Sequence, residues 1–109
     1  MAFKSKVKIN ISDSAESPAY LSNTVSAGTT HTIIGLSLAA KGVTTVSVSV
    51  MLTKSGGSPA FLIKDALIPV GGALIVVGGD QKLVLEEGDA LTAYCDTAES
   101  VDAIMSYLV

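Results

Sequence analysis

The sequence predicts an all-β protein, a single-domain antiparallel β-sandwich of jelly-roll-like form with about eight or nine short strands. Three observations point there. Apolar residues recur at every second position in several segments, the mark of a strand with one buried and one outward face. Turn-forming residues interrupt the chain about every ten positions, the spacing of sandwiches, jelly rolls and related barrels. Of 109 residues, 31 are Val, Ile or Leu and 22 are Ser or Thr, while only 16% are charged. So much aliphatic material with so little charge excludes intrinsic disorder. The length implies one domain over residues 1–109, with residues 1–3 the loosest.

The first strand is expected over residues 4–12, where Val7, Ile9 and Ile11 alternate with Lys6, Lys8 and Asn10. The polar stretch Asp13–Pro18 ends it. Strands over 19–26 and 30–40 flank a turn at Ala27–Thr29, and Lys41-Gly42 closes the second of them. Residues 44–54 hold the cleanest alternation, with Val46, Val48, Val50 and Leu52 set against Ser47, Ser49, Met51 and Thr53. Val48 is therefore expected in the core, with Ser47 and Ser49 on the opposite face.

Residues 54–58, Lys-Ser-Gly-Gly-Ser, read as a flexible hairpin tip leading to a strand over 59–67. Pro69 through Gly72 turns the chain into a strand over 72–77, and Gly78-Gly79-Asp80 into one over 81–85. Glu87-Gly88-Asp89 precedes a strand over 89–96, where Leu91, Ala93 and Cys95 alternate with Thr92, Tyr94 and Asp96. Thr97 and Ser100 could cap a short helix. The alternation of Val101, Ala103, Met105, Tyr107 and Val109 instead favours a last strand over 100–109. No segment carries a helical stripe, so bundles and doubly wound α/β folds are excluded.

The chemistry-bearing residues are few. Net charge is −3 and arginine is absent, which argues against a nucleic-acid surface. The longest uncharged stretch, Ser17 to Ala40, is too rich in hydroxyls to span a membrane. Lysines interleaved with Val7 and Ile9 do not form the apolar run of a secretory leader. One cysteine makes neither an internal disulfide nor a zinc site. Folding in a cytoplasm is the expectation.

Gly56-Gly57, Gly71-Gly72 and Gly78-Gly79 lack the Lys-Ser/Thr and following helix of a phosphate loop, so they read as strand punctuation. His31 and Cys95 would make a Cys–His pair only if brought together, and Cys95 lies on the apolar phase of its strand. Asp80, Glu86, Glu87 and Asp89 form an acidic group that could hold calcium, but the sequence around Gly88 favours a tight turn. Tyr20, Phe61, Tyr94 and Tyr107 are too scattered along the chain to predict a stacking platform for bases. No catalytic residue, cofactor site or metal site is assigned.

The stretches Thr30–Ala40, Thr45–Thr53, Phe61–Gly72, Gly79–Asp89 and Ser100–Leu108 together resemble small virion structural proteins of tailed bacteriophages. The resemblance covers most of residues 30–108 and lies in a pattern of strands and turns. It implies a non-enzymatic structural component of a virion, a decoration or cement protein or a neck or tail part, made in the host cytoplasm. Such a component docks on other virion proteins. The alternative is a carbohydrate- or host-surface-binding β module, for which exposed aromatic residues would be the discriminating feature. A small enzyme of cupin-like shape is disfavoured by the single histidine.

The last strand is apolar on both phases, with Met105, Tyr107 and Val109 on one and Ile104 and Leu108 on the other. Such a strand is covered on both sides, either centrally within its own sandwich or by a neighbouring copy; the second option fits a virion protein, so a trimer or higher cyclic homo-oligomer is expected. Met105, Tyr107 and Val109 are accordingly interface candidates. Lys4, Lys6 and Lys8 join them, because they form a basic row on one face of the first strand, suited to guarding an edge or meeting an acidic partner.

Overall fold

The computed structural model describes residues 2–22 and 24–109. Among the described residues nine strands follow one another: β1 (Phe3–Lys8), β2 (Ala19–Ser22), β3 (His31–Ala40), β4 (Val46–Thr53), β5 (Pro59–Ile68), β6 (Ala73–Val77), β7 (Leu83–Leu85), β8 (Ala90–Cys95) and β9 (Val101–Leu108). Every interior strand falls inside its expected segment or within a residue of it. Asn23, within the second expected strand, and Met1, within the segment expected to be loose, lie outside the described residues.

Two boundaries differ for identifiable reasons. β1 ends at Lys8, not at residue 12, because Asn10 takes a left-handed backbone conformation (φ 53°) and its N–H donates to Asp102 Oδ1 at 3.0 Å. Lys41 Nζ bridges the same pair, 2.5 Å from Asn10 Oδ1 and 2.8 Å from Asp102 Oδ1. The chain then crosses between sheets. Ile11 N–H donates to Val101 O, and Ser12 O accepts from Cys95 N–H. At the start, Ala2 and Phe3 are not loose. Ala2 and Val109 exchange backbone hydrogen bonds of 3.0 and 2.9 Å, and Phe3 opens β1.

All strand pairings are antiparallel and form two sheets. Sheet I has the order β1-β9-β3-β6, with β7 paired to the far end of β3, and sheet II has the order β2-β8-β4-β5. The pattern is one long hairpin rolled on itself. β4 and β5 flank its tip, and the arms pair as β3 with β6 and β7, β2 with β8, and β1 with β9. Rolling then brings β9 against β3 and β8 against β4. That is jelly-roll topology, which explains why the two chain ends lie side by side.

The core fills with the inward phases of both sheets. Val48 is 1% exposed, as its place in the alternating run predicts. Ser47 and Ser49 lie on the opposite phase, yet Ser49 is itself fully buried. A bulge in β5 explains it. Register slips between Val48↔Ala66 and Val50↔Ile63, Asp65 adopts φ 52°, and its N–H donates to Ser49 Oγ at 3.0 Å. The hydroxyl is satisfied where the ladder is interrupted.

Candidate functional site

β9 lies between β1 and β3, and its inward phase (Val101, Ala103, Met105, Tyr107) is buried against the chain's own second sheet. Met105 and Tyr107 are therefore core residues, covered within the chain's own sandwich, one of the two arrangements the sequence leaves open, and not the interface residues expected from it. Alternation alone cannot say which of two apolar phases faces inward. Val109 remains exposed beside Ala2.

Lys4, Lys6 and Lys8 stand opposite Tyr107, Met105 and Ala103, so the basic row runs on the inward phase of an exposed edge strand. Lys6 Nζ sits 5.7 Å from the Tyr107 ring centroid, within cation–π range. Inward-pointing charge on an edge disfavours pairing with another strand. The His31 ring is 5.1 Å from the same tyrosine ring, and its buried Nδ1 has no hydrogen-bond partner among the described residues. Burial, then the charges of Lys6 and Lys4, pull the His31 pKa below its ordinary value.

The opposite phase of sheet I faces outward, and the registers assemble it into rows. Phe3, Leu108, Thr32 and Val84 form one row across β1, β9, β3 and β7. Val7, Ile104, Ser37 and Ile75 form another across β1, β9, β3 and β6. Ser5, Ser106 and Gly35 lie between them as a trough of small residues. Two shallow depressions flank Ser106, one of about 350 Å³ against Phe3 and Ile34, the other of about 270 Å³ against Ile75 and Ile104. Phe3 is 77% exposed and Ile104 54%, and Val7 and Ile75 are similarly open. None of these rows contains a charged side chain. Half of the signal was present in the sequence as the Ile104 and Leu108 phase. The other half, Phe3 and Val7, joins it only through the pairing of the two ends of the chain.

The residues with catalytic or metal-binding potential are held apart or used structurally. His31 is in sheet I. Cys95 is in sheet II, where its Sγ is buried 3.1 Å from Thr97 O and 3.5 Å from Ile11 O. Burial raises the thiol pKa, opposite to what a nucleophile needs. Of the acidic group, Glu86 and Asp89 converge on Lys54 Nζ at 2.9 and 2.6 Å. The buried Asp89 carboxylate also accepts from the N–H groups of Glu86 (2.8 Å) and Ser55 (3.2 Å). It is the staple of a tight turn, closed by Asp89 N–H to Glu86 O at 3.0 Å. Among the described residues no three His, Cys, Asp or Glu side chains are grouped to hold a metal ion.

Three of the aromatic residues that look scattered in the sequence share one face. Tyr20, Thr92, Met51 and Phe61 stand opposite one another in a single row across all four strands of sheet II, on its outward side. Tyr94 occupies the same phase of β8 two residues from Thr92. A cleft of about 400 Å³ opens over three members of this row but not Phe61, with Tyr20, Pro18 and Pro59 on its walls and the nearly buried Met51 and Thr92 in its floor. Sequence distance concealed the row because its four members come from four different strands.

No protein-family model, curated protein or solved structure matches this chain.

Proposed function

We propose that this chain is a non-enzymatic structural subunit of a tailed-phage virion, assembling with itself and docking on other virion proteins. The observation that supports this most is the outward face of sheet I, two largely apolar rows flanking a small-residue trough, with charge confined to its margins at Lys4 and the Asp102–Lys41 pair. Covering its most exposed side chains contributes roughly 1–2 kcal/mol each. Five such side chains (Phe3, Val7, Ile75, Val84 and Ile104) match the lower range of the about 4–15 kcal/mol that association loses in rigid-body freedom. A surface of this kind suits stacking against another β surface in an assembly.

The managed edges fit the same role. Lysines on β1 and the bulge in β5 discourage open-ended strand pairing, so association proceeds through faces rather than edges. The test has two parts. Sedimentation of the intact chain at micromolar concentration gives an oligomer, and quantitative mass spectrometry of purified virions of the encoding phage finds the chain at a fixed copy number. A monomer absent from the particles would refute the proposal.

A further inference from the structure

We propose that the cleft over the outward face of sheet II binds a neutral saccharide. The cleft is independent of the sheet I face and goes beyond the structural role. Its chemistry selects the ligand class. Tyr20 is 54% exposed and forms one wall, so an aromatic face is open to an incoming ring. The floor combines the Met51 thioether with the Thr92 hydroxyl, and Thr24 and Thr53 supply further hydroxyls at the rim. Glu16 adds one exposed carboxylate, an acceptor for ligand hydroxyls.

Other ligand classes fit less well. Among the described residues Lys54 is the one cation lining the cleft, and its ammonium is already engaged by Asp89 at 2.6 Å and Glu86 at 2.9 Å. With Glu16 beside it, the cleft offers no free positive charge for a phosphate. An extended peptide bound by strand addition needs unpaired backbone groups. The floor here is the face of two central strands, β8 and β4, whose backbone groups are committed to the ladder. What remains is an uncharged molecule with one apolar face to stack on Tyr20 and hydroxyls around its edge, which describes a pyranose ring. A volume of about 400 Å³ lies at the small end of ligand sites. Three strand spacings of about 4.8 Å separate Tyr20 from Phe61 along the row, so a short linear oligosaccharide lying across the strands would extend from the cleft toward Phe61, whose ring already carries Lys64 Nζ at 5.6 Å from its centroid.

The experiment is a titration of the full-length, ¹⁵N-labelled chain followed by amide chemical shifts. The neutral probes are glucose, galactose, N-acetylglucosamine, lactose, cellobiose and chitobiose at up to tens of millimolar, with glucose 6-phosphate as the charged comparison. At least one neutral sugar is expected to give saturable shifts at Tyr20, Met51, Thr53 and Thr92, and to bind more tightly than glucose 6-phosphate. Tyr20→Ala should weaken that binding about tenfold. Glu16→Gln, in an exposed loop where folding is not at stake, should weaken it too. No saturable shift with any neutral probe overturns the proposal. So does unchanged affinity in both variants, or tighter binding of the phosphorylated sugar. Virion copy number and oligomer mass are read separately, so failure here is distinguishable from failure of the structural role.

Discussion

Asp89 is buried with its charge intact because three donors meet it, from Lys54, Glu86 and Ser55. Those hydrogen bonds, led by Lys54, hold its carboxyl below the ordinary carboxylate range. Asp96 and Asp102 are lowered likewise, by the Ser47 N–H and the Lys41 ammonium. A carboxylate with a depressed folded pKa contributes stability above its unfolded value of about 4, and that contribution is lost as pH falls through the folded pKa. His31 acts in a higher window. Its lowered pKa means that the unfolded chain binds the proton first, so stability falls as pH drops below about 6.5. Thermal midpoints measured from pH 7 to pH 3 should decline in both windows, and His31→Asn should flatten only the upper one. Asp89→Ala should cost on the order of 2–3 kcal/mol in urea unfolding at pH 7, since it strips the partner from two backbone donors. Gly88 in the same turn has φ 83°, and a Cβ there would stand 2.6 Å from the Ser55 side chain. Gly88→Ala should destabilise by roughly 1–3 kcal/mol, and adding Ser55→Gly should recover only the steric part.

At the scale of elements, β4 and β1 show what alternation does and does not specify. β4 lies between β8 and β5, and Val48 sits mid-strand in the core. Val48→Asp should cost roughly 3–5 kcal/mol by burying an unpaired charge, and a melting temperature equal to wild type would contradict that placement. In β1 the same period-two pattern predicts one lysine face, but not that this face is the inward phase of an edge strand. Its partner decides that, through the pairing of Lys6 with Met105. Replacing Lys4, Lys6 and Lys8 together by Val would leave a flat apolar edge. Dynamic light scattering should then show growing aggregates for the triple variant under conditions where wild type keeps a constant size. Turn chemistry was legible at nearly every boundary because glycine, proline and aspartate act locally. The early end of β1 was not, since it depends on Asn10 meeting Asp102 and Lys41, residues far away in the chain.

For the whole molecule, rolling one long hairpin places the two ends of the chain side by side and sets Phe3 and Val7 beside Leu108 and Ile104. If that face drives assembly, Ile104→Lys should lower the oligomer mass in analytical ultracentrifugation and leave the β signal in circular dichroism unchanged. An oligomer that survives this variant would place the contact elsewhere on the surface. The sequence by itself determined the fold class, the number of strands to within one (eight or nine) and the burial of Val48, because side-chain period and turn residues are properties of neighbouring positions. It also placed large apolar residues on both phases of the last strand, with Asp102 and Ser106 interrupting the second. Only the tertiary structure decided which of those phases belongs to the core. Met105 and Tyr107 turn inward and Ile104 turns outward because β9 pairs with β1 and β3 and its inward side packs on sheet II. The same holds for the row from Tyr20 to Phe61. Its members are joined by strand register, and register is fixed by pairings between distant segments, which a local pattern does not contain.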